Sequence, residues 1–349
     1  MRELFPARAV VRQVDPTVLK MISNAGSIVG TAAITSLVGF AYWLVAARLF
    51  SAPSVGLASA LISAMLLLGT VSVFGFGTLL VGELSRKRGE EGALIATGGL
   101  VAGSIGMLLG VAFGLIAPHL SRSFQPLDGN YPIVLLFALG VALTGVSLVF
   151  DTAVIGLFLG RLQLLRNGLF AAIKLAALLI AVALLPNRNW ETIYGTWVVG
   201  SLLSFAAPIV LLLRNVRGRP DPIRPQMGML LGNVRAALGH HGLNLALQAP
   251  ALLLPLVVTI TLSTTKNAAF YIAWNVAWFA FVGPGALTMV LFAVGVSSPG
   301  TLRRDTRISL RLGLLGGAMG TILLVVFANP ILSAFGSVYS SQAVVPLRI

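Results

Sequence analysis

Apolar residues in this chain run on for some twenty positions at a time, stop at short polar gaps, and resume. A hydrocarbon core about 30 Å thick is crossed by about 20 residues of helix. The runs are continuous and lack the alternation of an outer-membrane barrel, so the backbone polar groups must be satisfied within helices. The pattern predicts helices over 24–47, 55–81, 93–117, 131–158, 167–185, 192–213, 241–262, 268–296 and 312–328, with a tenth beginning near 341. The expected fold is an all-α polytopic membrane protein of about nine to ten transmembrane helices.

The longest polar gap, RNVRGRPDPIRPQMGMLLGNVR, follows the sixth predicted helix and is rich in Arg, Pro and Gly. It suggests a terminal segment 1–20, a complete six-helix bundle 21–214, a linker 215–239 and a partial second bundle 240–349. The halves share a weak likeness: ARLFSAPSVGLASALISAMLLLG joins helices one and two, and ITLSTTKNAAFYIAWNVAWFAFVG joins helices seven and eight. A repeat offset by six spans keeps its orientation, as in transporters built from parallel bundles.

Composition agrees with a membrane protein, at 57% hydrophobic and 10% charged residues against about 25% charged in soluble domains. A net charge of +14 could suggest nucleic acid, but the basic residues fall in the gaps, where they read as topology signals and lipid contacts. Alternating the gaps between sides puts 18 of the 24 Lys and Arg residues with the N-terminus. The N-terminus is therefore expected in the cytoplasm. Cysteine is absent, which excludes disulfides and thiolate metal sites.

Two ionisable residues lie inside apolar runs, Asp151 and Lys174. Counted from Arg161 and Arg166, both fall about 12–15 Å inside the membrane on antiparallel neighbours. They are expected either to pair and lock two helices, or to face a cavity in which Lys174 meets an anionic substrate and Asp151 orients it. Arg48, at the end of the first helix, is either an interfacial anchor or an anion-binding residue at the cavity mouth. Gly99 and Gly103, then Gly106, Gly110 and Gly114, form four-residue steps that admit a close neighbouring helix. Pro250 and Pro255, near Asn244 and Gln248, mark a static kink or a hinge. His240 and His241 read as an incidental pair at the helix entrance. No Walker loop, metal-ligand spacing or paired carboxylates occur, so no cofactor, metal or catalytic residue is expected and the chain does not read as an enzyme.

The segments SNAGSIVGTAAITSLVGFAYWLVAARLFSAPSVGLASALISAMLLLGT, VFDTAVIGLFLGRLQLLRNGLFAAIKLAALL and AAFYIAWNVAWFAFVGPGALTMVLFAVGV resemble bacterial polysaccharide-biosynthesis membrane proteins. These are the lipid-linked oligosaccharide flippases of the multidrug/oligosaccharidyl-lipid/polysaccharide exporter superfamily. The resemblance implies two six-helix bundles around a central cavity, alternating access, and a polyprenyl-pyrophosphate-linked saccharide as substrate. It implies Arg48, Asp151 and Lys174 as substrate-binding positions, with membrane lipids and polysaccharide-assembly proteins as partners. Relatives carry an acid where Val294 stands and continue for several more helices. The chain is therefore expected to be a fragment or to be completed by a partner. A cation-coupled drug exporter, a non-transporting scaffold and a saccharide ligase or polymerase are the other readings.

Overall fold

A computed structural model of the chain describes residues 16–75, 80, 84, 90–216, 234–297 and 302–348. The fold is all-α and polytopic, and among the described residues seven helices are long and apolar enough to cross a bilayer. Helices α1 (Pro16–Leu49) and α2 (Ala52–Ser72) form the first hairpin. Ser51 caps α2, its Oγ accepting the Ser54 backbone N–H at 3.4 Å, and Pro53 sits in the first turn, where a missing N–H breaks no helical bond. α2 stops well short of the predicted 81. Phe74 and Gly75 adopt φ of 46° and 76°, so a left-handed turn ends the helix inside an unbroken apolar run.

α3 (Glu91–Leu120) leads through a 3-10 turn, Arg122–Leu127, into α4 (Tyr131–Gly156). The glycine steps explain why α3 and α4 pack so tightly. A Cβ on Gly106 would come within 3.0 Å of Ala142 Cα, one on Gly110 within 2.5 Å of Ala138 Cα, and one on Gly114 within 2.7 Å of Val134 Cγ1. In lipid, where burial gives helices little drive to associate, such backbone approach supplies the attraction. Gly99 lies outside this seam, since its Cβ would meet only Val146 Cγ1, at 4.0 Å.

α4 turns into α5 (Gly160–Leu184) through Leu157, Phe158 and Leu159. Phe158 has φ 56°; its N–H donates to Ile155 O at 3.0 Å and that of Leu159 to Val154 O at 2.7 Å. These are the two bonds of a Schellman cap, here with phenylalanine at the left-handed position that glycine usually takes. α5 thus starts at Gly160 and not at the predicted 167, so Arg161 and Arg166 belong to the helix.

The predicted sixth helix is two, α6 (Trp190–Leu203) and α7 (Ala206–Val216), with a break at Ser204 and Phe205. Asn189 fixes the start of α6, its Oδ1 accepting from the N–H and Oγ1 of Thr192 at 3.2 and 3.1 Å. Most of the expected linker, including Arg217, Arg219 and Arg224, lies outside the described residues, as do Arg86, Lys87 and Arg88. α8 (Val234–Thr261) and α9 (Thr264–Ser297) form the next hairpin, followed by α10 (Leu302–Val326). α8 remains helical through Pro250 and Pro255. Asn244 and Gln248 are exposed on α8. The side chains of His240 and Val294 lie outside the described residues.

Near 341, where a tenth helix is expected to begin, the described residues form short helices, the last starting at Val344. Three short helices, α11 (Ala328–Ser333), α12 (Ser337–Gln342) and α13 (Val344–Arg348), fold at the end of α10, turning at Gly336 with φ 129°.

The α1–α2 and α8–α9 turns, noted for their likeness, touch each other. Ser263 caps α9 as Ser51 caps α2, accepting the Lys266 N–H at 3.2 Å. Asn267 then donates from Nδ2 to Gly56 O at 2.8 Å and to Ser59 Oγ at 3.0 Å. Gly56 is required by this contact, since a Cβ there would stand 1.7 Å from Thr264 O. This is the Arg48 end of the bundle; Gly156 and Gly160 mark the other. The main core lies nearer the Arg48 end, around the fully buried Tyr42, Leu61, Ile62, Phe137 and Tyr194.

Candidate functional site

The Phe158 turn sets which residues of α4 and α5 stand level. Asp151 precedes Phe158 by seven positions and Arg166 follows it by eight, so the hairpin brings them opposite each other. Arg166 donates from Nε to Asp151 Oδ1 at 2.8 Å and from Nη2 to Oδ2 at 2.7 Å, a parallel two-bond fork. Its Nη1 donates to Ser147 Oγ at 3.0 Å and its Nη2 also to Asn167 Oδ1 at 2.8 Å. Asn167 Nδ2 closes the ring of contacts by donating to Asp151 Oδ2 at 3.0 Å. The side chains are 6% and 17% exposed for Arg166 and Asp151, so both charges are largely desolvated and neutralise each other.

Of the two readings of Asp151 and Lys174, their pairing is not formed, since Asp151 is taken by Arg166. The depth estimate placed the start of α5 too late; with Gly160 as its first residue, Lys174 lies two further turns along the helix, toward the middle of the bundle. There Lys174 has no carboxylate partner among the described residues. Its ammonium sits in an aromatic box instead, 3.9 Å from the Trp197 ring centroid, 4.6 Å from Phe170 and 5.2 Å from Tyr42. A desolvated ammonium over an indole gains about 2 kcal/mol or more from the ring quadrupole, which offsets part of the cost of burying it without a counter-ion.

Local sequence builds that box. Phe170 and Lys174 are four apart on α5 and share a face. Trp197 comes from α6, where Gly200 allows close approach: a Cβ there would lie 2.9 Å from Lys174 Cβ. Tyr42 reaches across from α1, its hydroxyl donating to Ile193 O at 2.8 Å and lying 2.7 Å from Thr196 Oγ1. Thr196 Oγ1 in turn donates to Ile193 O at 2.8 Å. Trp43 extends the aromatic layer to α9, with its ring 4.7 Å from that of Tyr271.

Between the clasp and the box lies a cavity of about 200 Å³, lined by Ser147, Asp151, Arg166 and Asn167 on one side and by Phe170 and Trp197 on the other. Trp197 Nε1 is buried without a hydrogen-bond partner. The Lys174 cation, held beside this cavity by the Phe170 and Trp197 rings that line it, favours an anionic or acceptor-rich occupant. No cluster that could hold a metal ion occurs among the described residues.

Arg48 does not join this cavity. It is exposed at the end of α1, where its Nε donates to Ala334 O and its Nη2 to Ser333 O at 3.4 Å, tying α1 to the end of α11. Ser123 Oγ, on the 3-10 turn, donates to Thr259 O of α8 at 3.1 Å at the same end. These bonds, with those of Asn267, close the Arg48 end.

The sequence reading missed Arg166, Asn167, Ser147, Phe170, Trp197 and Tyr42 as members of one site. A signal was present: Arg166, Phe170 and Lys174 recur every four residues, and Ser147 and Asp151 are likewise four apart. Assigning Arg166 to an inter-helix gap hid it.

The sequence model of a family described as polysaccharide biosynthesis protein matches residues 21–238. No curated protein matches the chain. Among solved structures, a MATE in the straight conformation superposes with a TM-score of 0.55 at 13% identity, over 95% of this chain and 78% of that one. An outward-facing multidrug resistance MATE family transporter of the MOP superfamily gives 0.55 at 12% identity, over 95% and 78%. A MATE in the bent conformation gives 0.51 at 14%, over 95% and 79%. At these identities the likeness establishes a shared fold.

Proposed function

The chain belongs to the polysaccharide biosynthesis protein family, and from that membership we propose that it carries polyprenyl-pyrophosphate-linked saccharide across the bacterial cytoplasmic membrane by alternating access. The observation that carries this reading is Lys174, a cation only 5% exposed and without a carboxylate partner among the described residues, beside a cavity that Arg166 lines. A pyrophosphate must lose water to cross, and a fixed cation inside the bilayer supplies the missing counter-charge. Lys174 leaves its rings to meet the phosphate; the cation–π attraction lost is of the same order as the charge-assisted hydrogen bond gained, which suits a carrier that must also release. Arg166 is held by Asp151 and keeps the wall of the cavity rigid.

The N-terminal side, rich in Lys and Arg, faces the cytoplasm in this reading. The closed Arg48 end is then external, and the substrate enters from the Gly160 end. Opening outward requires the Asn267 and Arg48 bonds to part. Arg48 belongs to that gate and reaches phosphate only as the substrate leaves. Pro250 and Pro255 are the proposed hinge of α8. Helices α1 to α7 act as one bundle, and the helices from α8 onward as part of another.

The test is transport by the purified chain in vesicles, read as protection of a fluorescent polyprenyl-pyrophosphate-linked saccharide from an external quencher. Transport that depends on Lys174 supports the reading; no movement of this substrate rejects it. A second reading, export of lipophilic cations, draws on the aromatic box, which suits cations in general. Uptake of tetraphenylphosphonium by the same vesicles, strengthened when Lys174 is removed, would favour that reading.

A further inference from the structure

We propose that an apolar groove between α3, α4 and the α6–α7 break holds the hydrocarbon chain of the lipid-linked substrate, while the anionic head passes Phe205 into the Lys174 cavity. The inference rests on the flippase reading of that cavity and adds a site for the other end of the same molecule. The groove encloses about 1090 Å³. Small residues on α3 open it: Ala96, Gly99 and Gly103 leave room where larger side chains would meet α4. The break opens it further. Ser204 Oγ turns back to Ser201 O at 2.7 Å, and the following Phe205 N–H reaches only Leu202 O, at 3.4 Å. Leu100 and Leu108 at the rim are 53% and 70% exposed, as side chains that meet lipid would be.

α4 divides the groove from the cavity. Leu143, Val146 and Phe150 line the groove, while Thr144, Ser147 and Asp151 of the same helix line the cavity. Beside α4 the partition is one aromatic pair. The rings of Phe150 and Phe205 meet edge to face at 5.7 Å, and the Arg166 guanidinium lies 5.4 Å over the Phe205 ring. A hydrocarbon surface and the polar Arg166–Asp151 clasp therefore stand on the two sides of Phe205, the polarity pattern of a lipid where its chain meets its head. Bilayer chains are as apolar as leucine, so the groove adds little affinity. Its effect is geometric: the chain stays among hydrocarbon while the head moves inward, so filling the groove lowers the rate of entry.

The test uses the whole chain in vesicles with two probes, a long-chain polyprenyl-pyrophosphate-linked saccharide and its three-isoprene counterpart. Gly99→Leu, with Ala96→Leu as a second variant should the first misfold, should slow the long-chain probe about tenfold and leave the short one within about twofold. Lys174→Ala should slow both. Equal loss for both probes in the groove variants, or loss for neither, overturns the chain site; the latter result is expected if ordinary phospholipid fills the groove. If Lys174→Ala impairs both probes and the groove variants impair neither, the cavity reading stands and the chain site falls. If the unmodified chain moves neither probe, both readings fail together.

Discussion

Arg166 grips Asp151 through two parallel hydrogen bonds of 2.8 and 2.7 Å across the α4–α5 hairpin, leaving neither residue available to Lys174. The pair neutralises itself and the lysine does not, and this division of labour organises the expected behaviour of the site.

Breaking the clasp from one side should be costly. Asp151→Ala leaves a buried guanidinium unpaired, a loss of about 3 kcal/mol or more. The double variant Asp151→Ala with Arg166→Met should recover much of that loss, because no charge is then stranded. Thermal unfolding of the detergent-solubilised protein reads both. Strictly additive losses would show that the pair is not coupled.

Lys174→Met keeps the unbranched shape in the aromatic box and removes the charge. Stability should change by less than about 1.5 kcal/mol. Transport of the pyrophosphate-linked probe should fall about tenfold or more, as should that of Lys174→Ala. Lys174→Arg restores charge with a wider head and should recover only part of the rate. A Lys174→Met variant with normal transport would remove the cation from the mechanism.

The glycine stripe should split by position. Gly110→Val forces a side chain against Ala138 and should destabilise by about 1–3 kcal/mol through overpacking. Gly99→Ala meets only Val146 at ordinary contact distance and should be neutral, or stabilising by up to about 1 kcal/mol from helix propensity. Melting curves of the two variants decide; equal destabilisation would contradict the seam.

The absence of native cysteine makes the gate proposed at the Arg48 end directly testable. Asn267 Nδ2 donates to Ser59 Oγ at 3.0 Å, so Ser59→Cys with Asn267→Cys puts two thiols on facing helices for a mercuric ion to bridge. Mercuric ion should abolish transport and an added dithiol should restore it. A formed cross-link that leaves transport intact would mean that this end does not open during the cycle.

The sequence carried most of the architecture because hydrophobic runs of spanning length are the strongest signal a membrane chain emits. It did not reveal where helices end within those runs. Phe74 and Phe158 stop α2 and α4 in left-handed conformations that phenylalanine rarely adopts, so residue type gave little warning. One such error displaced the start of α5 to 167, left Arg166 in an inter-helix gap and hid it as the partner of Asp151. The family resemblance and the presence of charge at Asp151 and Lys174 were legible from residues alone. The box around Lys174 was not, because Tyr42, Phe170 and Trp197 come from three helices whose rotations the sequence leaves free.

The turn at Phe158 also works as a phase setting. One residue inserted there would advance α5 by 1.5 Å and rotate it by about 100°, carrying Arg166 off Asp151 and Lys174 out of its rings in the same step. The clasp and the box therefore share one mechanical reference. Loop length at this hairpin cannot drift without uncoupling both, whereas a substitution at Phe158 that preserves the left-handed cap, glycine above all, should leave both in place.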